Sequence, residues 1–104
     1  MMYNYMMTTD QFEKILQGNE RCIIKLGASW CQPCKTLDKE IDLLFQEHPE
    51  VKGKIYKVDV DEFPELTQRM QIMSVPTCVF VEGNGAYSLK KGMLSRQGLF
   101  EWVK

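Results

Sequence analysis

Cys31 and Cys34, two residues apart in Trp30-Cys31-Gln32-Pro33-Cys34-Lys35, are the side chains of this sequence best placed to do chemistry. An apolar run, Cys22 to Leu26, leads into the pair through Gly27-Ala28-Ser29, and a long helical pattern leaves it. A Cys-x-x-Cys pair between a strand and a helix points to thiol–disulfide exchange. With Pro33 in the first helical turn, its missing N–H costs nothing and its fixed φ starts the helix. Cys31 then falls at the N-cap edge, where free backbone N–H groups and the helix dipole favour a thiolate. Cys34 lies one turn further in, more buried but close enough to close a disulfide. The division of labour follows: Cys31 attacks a substrate disulfide and Cys34 resolves the mixed disulfide. The competing chemistry is half of a zinc site. That would need a second Cys-x-x-Cys or a pair of histidines, and the chain has His48 alone, so no metal is expected.

The elements that must hold this pair can be read from periodicity. Tyr3 to Met7 suits a short edge strand. Thr8-Thr9-Asp10 offers an N-cap to a helix with Phe12, Ile15 and Leu16 on one face, stopped by Gly18. Arg21 to Leu26 reads as a buried strand. Leu37, Ile41, Leu44 and Phe45 carry the helix after Pro33 through about four turns, to an end near His48-Pro49. Lys54 to Val60 alternates as a strand, with Tyr56, Val58 and Val60 on its apolar face. Glu62 to Met70 is a short helix with Pro64 in its first turn, and Pro76 to Glu82, Gly83-Asn84-Gly85 and Ala86 to Lys91 form a hairpin. Ser95 caps a last helix carrying Leu99, Trp102 and Val103. The order β-α-β-α-β-α-β-β-α predicts parallel crossovers early and antiparallel pairing late.

The totals narrow the field. At 104 residues the expectation is one domain over 1–104, able to bury a core without disulfide staples. A net charge of -1 leaves no electrostatic footprint for nucleic acid, and no long apolar run or basic amphipathic helix suggests a membrane. Met1 to Met7 lacks the basic and apolar regions of a signal peptide, so a reducing cytoplasm is expected, with the four cysteines not read as two structural disulfides.

Four stretches, in order and across essentially the whole chain, resemble the thioredoxin family. They are Trp30 to Lys35, with Gln32 in a glycine's place; Val58-Asp59-Val60-Asp61-Glu62 with Pro64-Glu65-Leu66; Ser74-Val75-Pro76-Thr77; and Gly92 followed by Leu94-Ser95. The resemblance implies a thioredoxin fold, a central mixed β-sheet flanked by helices in three α/β/α layers. It implies a monomeric protein-disulfide reductase whose redox group is the Cys31–Cys34 disulfide, with no cofactor. Its partners would be disulfide-containing protein substrates and an electron donor such as thioredoxin reductase. It further implies a cis Val75–Pro76 bond beside the cysteines, and a substrate groove formed by Trp30, Gln32, Pro33, Val75, Pro76 and Gly92. A substrate strand could pair with the Val75 backbone. Gly92 would let a substrate backbone approach, or would simply turn the strand end.

Two residues depart from the family pattern. Gln32 alters the segment that sets backbone geometry between the cysteines. Lys25 stands where the family keeps a buried aspartate thought to help Cys34 lose its proton, and Lys57, on the neighbouring strand, would normally pair with that aspartate. Two ammonium groups would then face each other unless one reaches solvent, finds Asp59 or another acid, or sheds its proton. Lys25 either extends to solvent or modulates the resolving thiol directly. Cys22 and Cys78 read as buried inert thiols; a disulfide between them would need Cα atoms within about 7 Å. Besides a reductase, the sequence admits a binding subunit docking through the groove, and an oxidase or isomerase of the protein disulfide isomerase kind, which would need an oxidising compartment.

Overall fold

The computed structural model of the protein describes residues 8–104; the strand expected over Tyr3 to Met7 lies outside them. Helix α1 (Thr9–Gln17) starts at Thr8, whose hydroxyl accepts the Gln11 N–H while the Gln11 side chain accepts the Thr8 N–H, and ends at Gly18. Strand β1 (Cys22–Gly27) is buried along its whole length. Helix α2 (Gln32–Glu47) follows Cys31 directly, with Pro33 in its first turn. A 3-10 segment, Pro49–Lys54, leads to β2 (Ile55–Asp59), and α3 (Pro64–Arg69) to the hairpin of β3 (Thr77–Gly83) and β4 (Ala86–Lys91). Helix α4 (Arg96–Val103) is capped by the Ser95 hydroxyl, which accepts the Gly98 N–H.

The strands form one mixed sheet in the order β2-β1-β3-β4, with β1 parallel to β2 and antiparallel to β3, and β3 antiparallel to β4. Side chains alternate between its faces. Ile23, Ile55, Cys78 and Phe80 pack against α2 and α4, through Leu37, Ile41, Leu44, Phe45, Leu99 and Val103. Cys22, Ile24, Leu26, Val58, Val79 and Val81 pack against α1 and α3, through Phe12, Leu16, Leu66 and Met70. The result is three α/β/α layers with β1 at the centre.

One feature differs from the sequence expectation. The chain after His48 takes a 3-10 turn, held by the buried Val51, where the sequence suggests only a helix end. Strand β2 keeps Tyr56 and Val58, with Val60 just beyond its end, on the expected apolar face towards α1 and α3; because helices cover both faces of the sheet, its other face runs beneath α2. Ile55 is buried there, and Lys57 and Asp59 are half-buried beside it.

Candidate active site

The cysteine pair sits where β1 ends and α2 begins. Cys31 is the N-cap of α2, and its sulfur accepts the backbone N–H of Cys34 at 3.2 Å. The two sulfurs are joined in a disulfide. Both residues are nearly closed to solvent, Cys34 (1% exposed) more than Cys31 (5%). They form a small apolar cluster with Ala28, Val60 and Val75.

The segment before β3 comes up against this cluster. Cys31 Sγ lies 3.8 Å from the Val75 carbonyl oxygen, and the Val75–Pro76 peptide is cis. Gly92 belongs to the same rim, because its N–H donates to the Pro76 carbonyl at 2.9 Å. It holds φ at +84°, a conformation that favours glycine, and a Cβ there would meet open space. Trp30 stands largely exposed (69%) beside the disulfide, its indole N–H donating to Asp61 Oδ2 at 2.8 Å. Asp61 is itself fixed by its backbone N–H, which donates to Asp59 Oδ1 at 2.8 Å. Gln32 and Pro33 are exposed at the first turn of α2. The structure thus brings together Trp30, Cys31, Gln32, Pro33, Cys34, Val75, Pro76 and Gly92.

Lys25 does not extend to solvent. It is buried (1% exposed) beneath the pair, and its Nζ donates to Asp38 Oδ1 at 2.7 Å. Lys57, opposite Lys25 in the β1–β2 register, reaches the other oxygen of the same carboxylate, with Nζ 3.1 Å from Oδ2. The acid that reconciles the two lysines is therefore Asp38 on α2. Asp59, the acid nearest in sequence on β2, turns its carboxylate to the Asp61 N–H instead. Gly27 completes the arrangement. A Cβ built there would lie 2.6 Å from Lys25 Nζ and 3.1 Å from Cys34 Sγ, so ammonium and sulfur flank the space that this glycine leaves free.

Cys22 and Cys78 are free, buried thiols on opposite faces of the sheet, one against α1 and α3 and the other against α2 and α4, so they cannot bridge each other. Burial pushes the Cys22 thiol up to about 11 and Cys78 to about 12, far from the range of a reactive thiolate. Asp38, Gly27 and Asp61 are not singled out by the sequence; the four-residue spacing of Cys34 and Asp38 on one helix face is the signal available for the first.

The thioredoxin family model matches residues 4–104. The chain belongs to the thioredoxin family. Thioredoxin-1 of Drosophila yakuba is 35% identical over 77 residues, covering 73% of this chain and 71% of its own. Among solved structures, Malassezia sympodialis thioredoxin superposes with a TM-score of 0.79 at 28% identity, covering 96% of this chain and 87% of that one. Plasmodium falciparum thioredoxin gives 0.78 at 27%, covering 96% and 99%. The protein is accordingly a thiol–disulfide oxidoreductase, and its disulfide-forming cysteine pair supports reductase activity. Among the described residues no cluster of His, Cys, Asp or Glu is arranged for a metal ion, and no helix is long and apolar enough to cross a membrane.

Proposed function

We propose that the protein is a cytoplasmic, single-domain, monomeric dithiol reductase of protein disulfides, with Cys31 as nucleophile and Cys34 as resolving thiol. The observation that carries this reading is the hydrogen bond from the Cys34 N–H to the Cys31 sulfur at the start of α2. The same N–H and the helix N-terminus favour a thiolate at Cys31 once the pair is reduced. The thiolate attacks one sulfur of a substrate disulfide; a Cys31–substrate disulfide forms, and the other substrate sulfur leaves as a thiolate that takes a proton. Cys34 then attacks Cys31 Sγ, the protein disulfide closes, and the second substrate thiol departs. A dithiol reductase such as thioredoxin reductase returns two electrons and two protons.

The substrate chain lies over Trp30, Gln32, Pro33 and the Val75–Pro76 segment, with Gly92 giving its backbone room. Lys25 and Lys57 modulate the chemistry of the resolving thiol from below. Two free buried thiols, Cys22 and Cys78, suit a reducing compartment. The test is insulin reduction with dithiothreitol, and then with NADPH and thioredoxin reductase. Turnover that disappears in Cys31→Ser supports the reading. Binding of substrates without turnover would replace it with a docking module.

A further inference from the structure

The buried charges beneath the cysteine pair carry one inference more. Lys25, Asp38 and Lys57 come from β1, α2 and β2, and a single carboxylate serves both lysines, one oxygen each. With all three ionised the group carries one net positive charge. The three positions are not equivalent. Lys57 is about a third exposed (31%) and shares its charge with water, whereas Lys25 is sealed at 1%. A sealed ammonium depends on its counter-ion, because unpaired burial disfavours the charged form. The Lys25 Nζ and the Cys34 Sγ both border the gap left at Gly27, 2.6 and 3.1 Å from where a Cβ would stand. Asp38 follows Cys34 by four residues on α2, so both face the sheet one turn apart.

We infer that Asp38 is a positioning residue for the resolving step, holding the Lys25 ammonium beside the Cys34 sulfur so that the positive charge stabilises the Cys34 thiolate. This rests on the dithiol reading above. In the step itself the Cys34 S–H proton is lost to solvent and the thiolate attacks Cys31 Sγ. The Sγ–Sγ bond forms, the Cys31–substrate S–S bond breaks, and the departing substrate thiolate takes up a proton. The developing anion at Cys34 brings the cluster from one net positive charge to none. Asp38 contributes through Lys25, not by touching the reacting sulfurs.

The other ionisable groups around this centre do not supply that charge. Cys31, at the head of α2, is the partner in the disulfide. Cys78, paired with Lys25 in the β1–β3 register, is a buried thiol that Lys25 pulls down and Asp38 pushes up less strongly than burial raises it. Asp59 on β2 is turned to the Asp61 N–H. Lys35 and Lys39 lie on α2 away from the buried face, and Arg96 of α4 is held by Glu40 and Glu47.

Stopped-flow reaction of the reduced protein with 5,5′-dithiobis(2-nitrobenzoate) separates the two steps. Attack by Cys31 releases one coloured thiolate and resolution by Cys34 releases the second. Both phases are followed over a pH series for wild type, Lys25→Met, Asp38→Ala, Asp38→Glu and the Lys25→Met/Asp38→Ala double variant. An opposite charge within about 4–6 Å moves a titration midpoint by about 1–3 pH units. The second-phase midpoint is therefore expected to rise by about one pH unit or more in Lys25→Met and in Asp38→Ala, by more than the first-phase midpoint, making resolution about tenfold slower at neutral pH. The double variant should move no further than either single one, and Asp38→Glu should restore most of the wild-type curve. A wild-type midpoint in Asp38→Ala, or a double variant that moves beyond both singles, overturns the inference; the latter would make Asp38 act on Cys34 independently of Lys25. If Asp38→Ala does not fold, Lys25→Met/Asp38→Leu replaces it, since removing both buried partners leaves no stranded charge. Its second-phase midpoint should match that of Lys25→Met, and a higher one overturns the inference. Release of a single thiolate by the wild type would instead defeat the dithiol reading itself.

Discussion

The Lys25 ammonium and the Asp38 carboxylate meet at 2.7 Å beneath the disulfide, the lysine on the central strand and the acid on the helix that begins at Cys31. The pair ties the floor of the site to the helix whose first turn carries its chemistry. Its two members are unequally replaceable, because Asp38 keeps Lys57 when Lys25 is lost, whereas the structure gives the sealed Lys25 nitrogen Asp38 as its acceptor.

That asymmetry predicts unequal costs. Asp38→Ala strands a buried ammonium and should destabilise the oxidised protein by about 3–5 kcal/mol. Lys25→Met leaves the partly solvated Asp38–Lys57 pair intact beneath an apolar side chain of similar length, and should change stability by less than about 2 kcal/mol. Urea unfolding at neutral pH measures both. Equal losses, or a greater loss in Lys25→Met, would contradict the arrangement.

Alkylation should separate the four thiols of the reduced protein. Cys31, at the N-cap and the less sealed of the pair, should take iodoacetamide first, and Cys34 much more slowly. Cys22 and Cys78, buried and with thiols raised to about 11 and 12, should remain unlabelled until the protein is denatured. Peptide mapping after a short pulse at neutral pH decides; first labelling at any other cysteine would displace Cys31 as nucleophile.

Cys34→Ser keeps the attacking thiol and removes the resolving one, so mixed disulfides with substrate proteins should accumulate. Non-reducing electrophoresis of the variant incubated with oxidised insulin should show a covalent adduct that dithiothreitol dissolves. Its absence would mean that Cys34 is not the resolver or that Cys31 does not attack.

The parts of this site that local chain geometry decides are legible in the sequence. A proline two residues after Cys31 and a cysteine one after that define a helix start, and the N–H to sulfur contact between Cys34 and Cys31 needs nothing beyond that turn. The cap residues Thr8 and Ser95 are legible for the same reason. The rest is tertiary. Lys25 advertises a missing acid, but β1 is parallel to β2 and lies under α2, and only that packing brings the Asp38 carboxylate between two lysines on adjacent strands. Gly27 looks in the sequence like a plain connector between strand and cysteines. Its importance appears only once Lys25 Nζ and Cys34 Sγ are seen to crowd the place of its absent side chain.

The two raised thiols should make the fold less stable as pH rises into the alkaline range. Cys22 and Cys78 move from 9.0 to about 11 and about 12 because burial penalises their thiolates, Glu20 adding a little at Cys22. The folded protein thus holds these protons at a pH where the unfolded chain has released them. Their contribution is complete below pH 9 and is lost as pH rises from 9 through about 11 for Cys22 and about 12 for Cys78. A tenfold change in a proton equilibrium is worth about 1.4 kcal/mol, so the decline is on the order of several kcal/mol. Cys78→Ala should lower stability at neutral pH by about 1–2 kcal/mol through lost packing, yet flatten the decline above pH 9. Cys22→Ala should flatten it less. Urea unfolding of the oxidised protein, repeated at intervals from neutral pH up to about 11, would show this. The active-site pair is then locked as a disulfide and does not titrate. A Cys78→Ala curve that runs parallel to wild type across that range would mean that alkaline loss of stability comes from other groups.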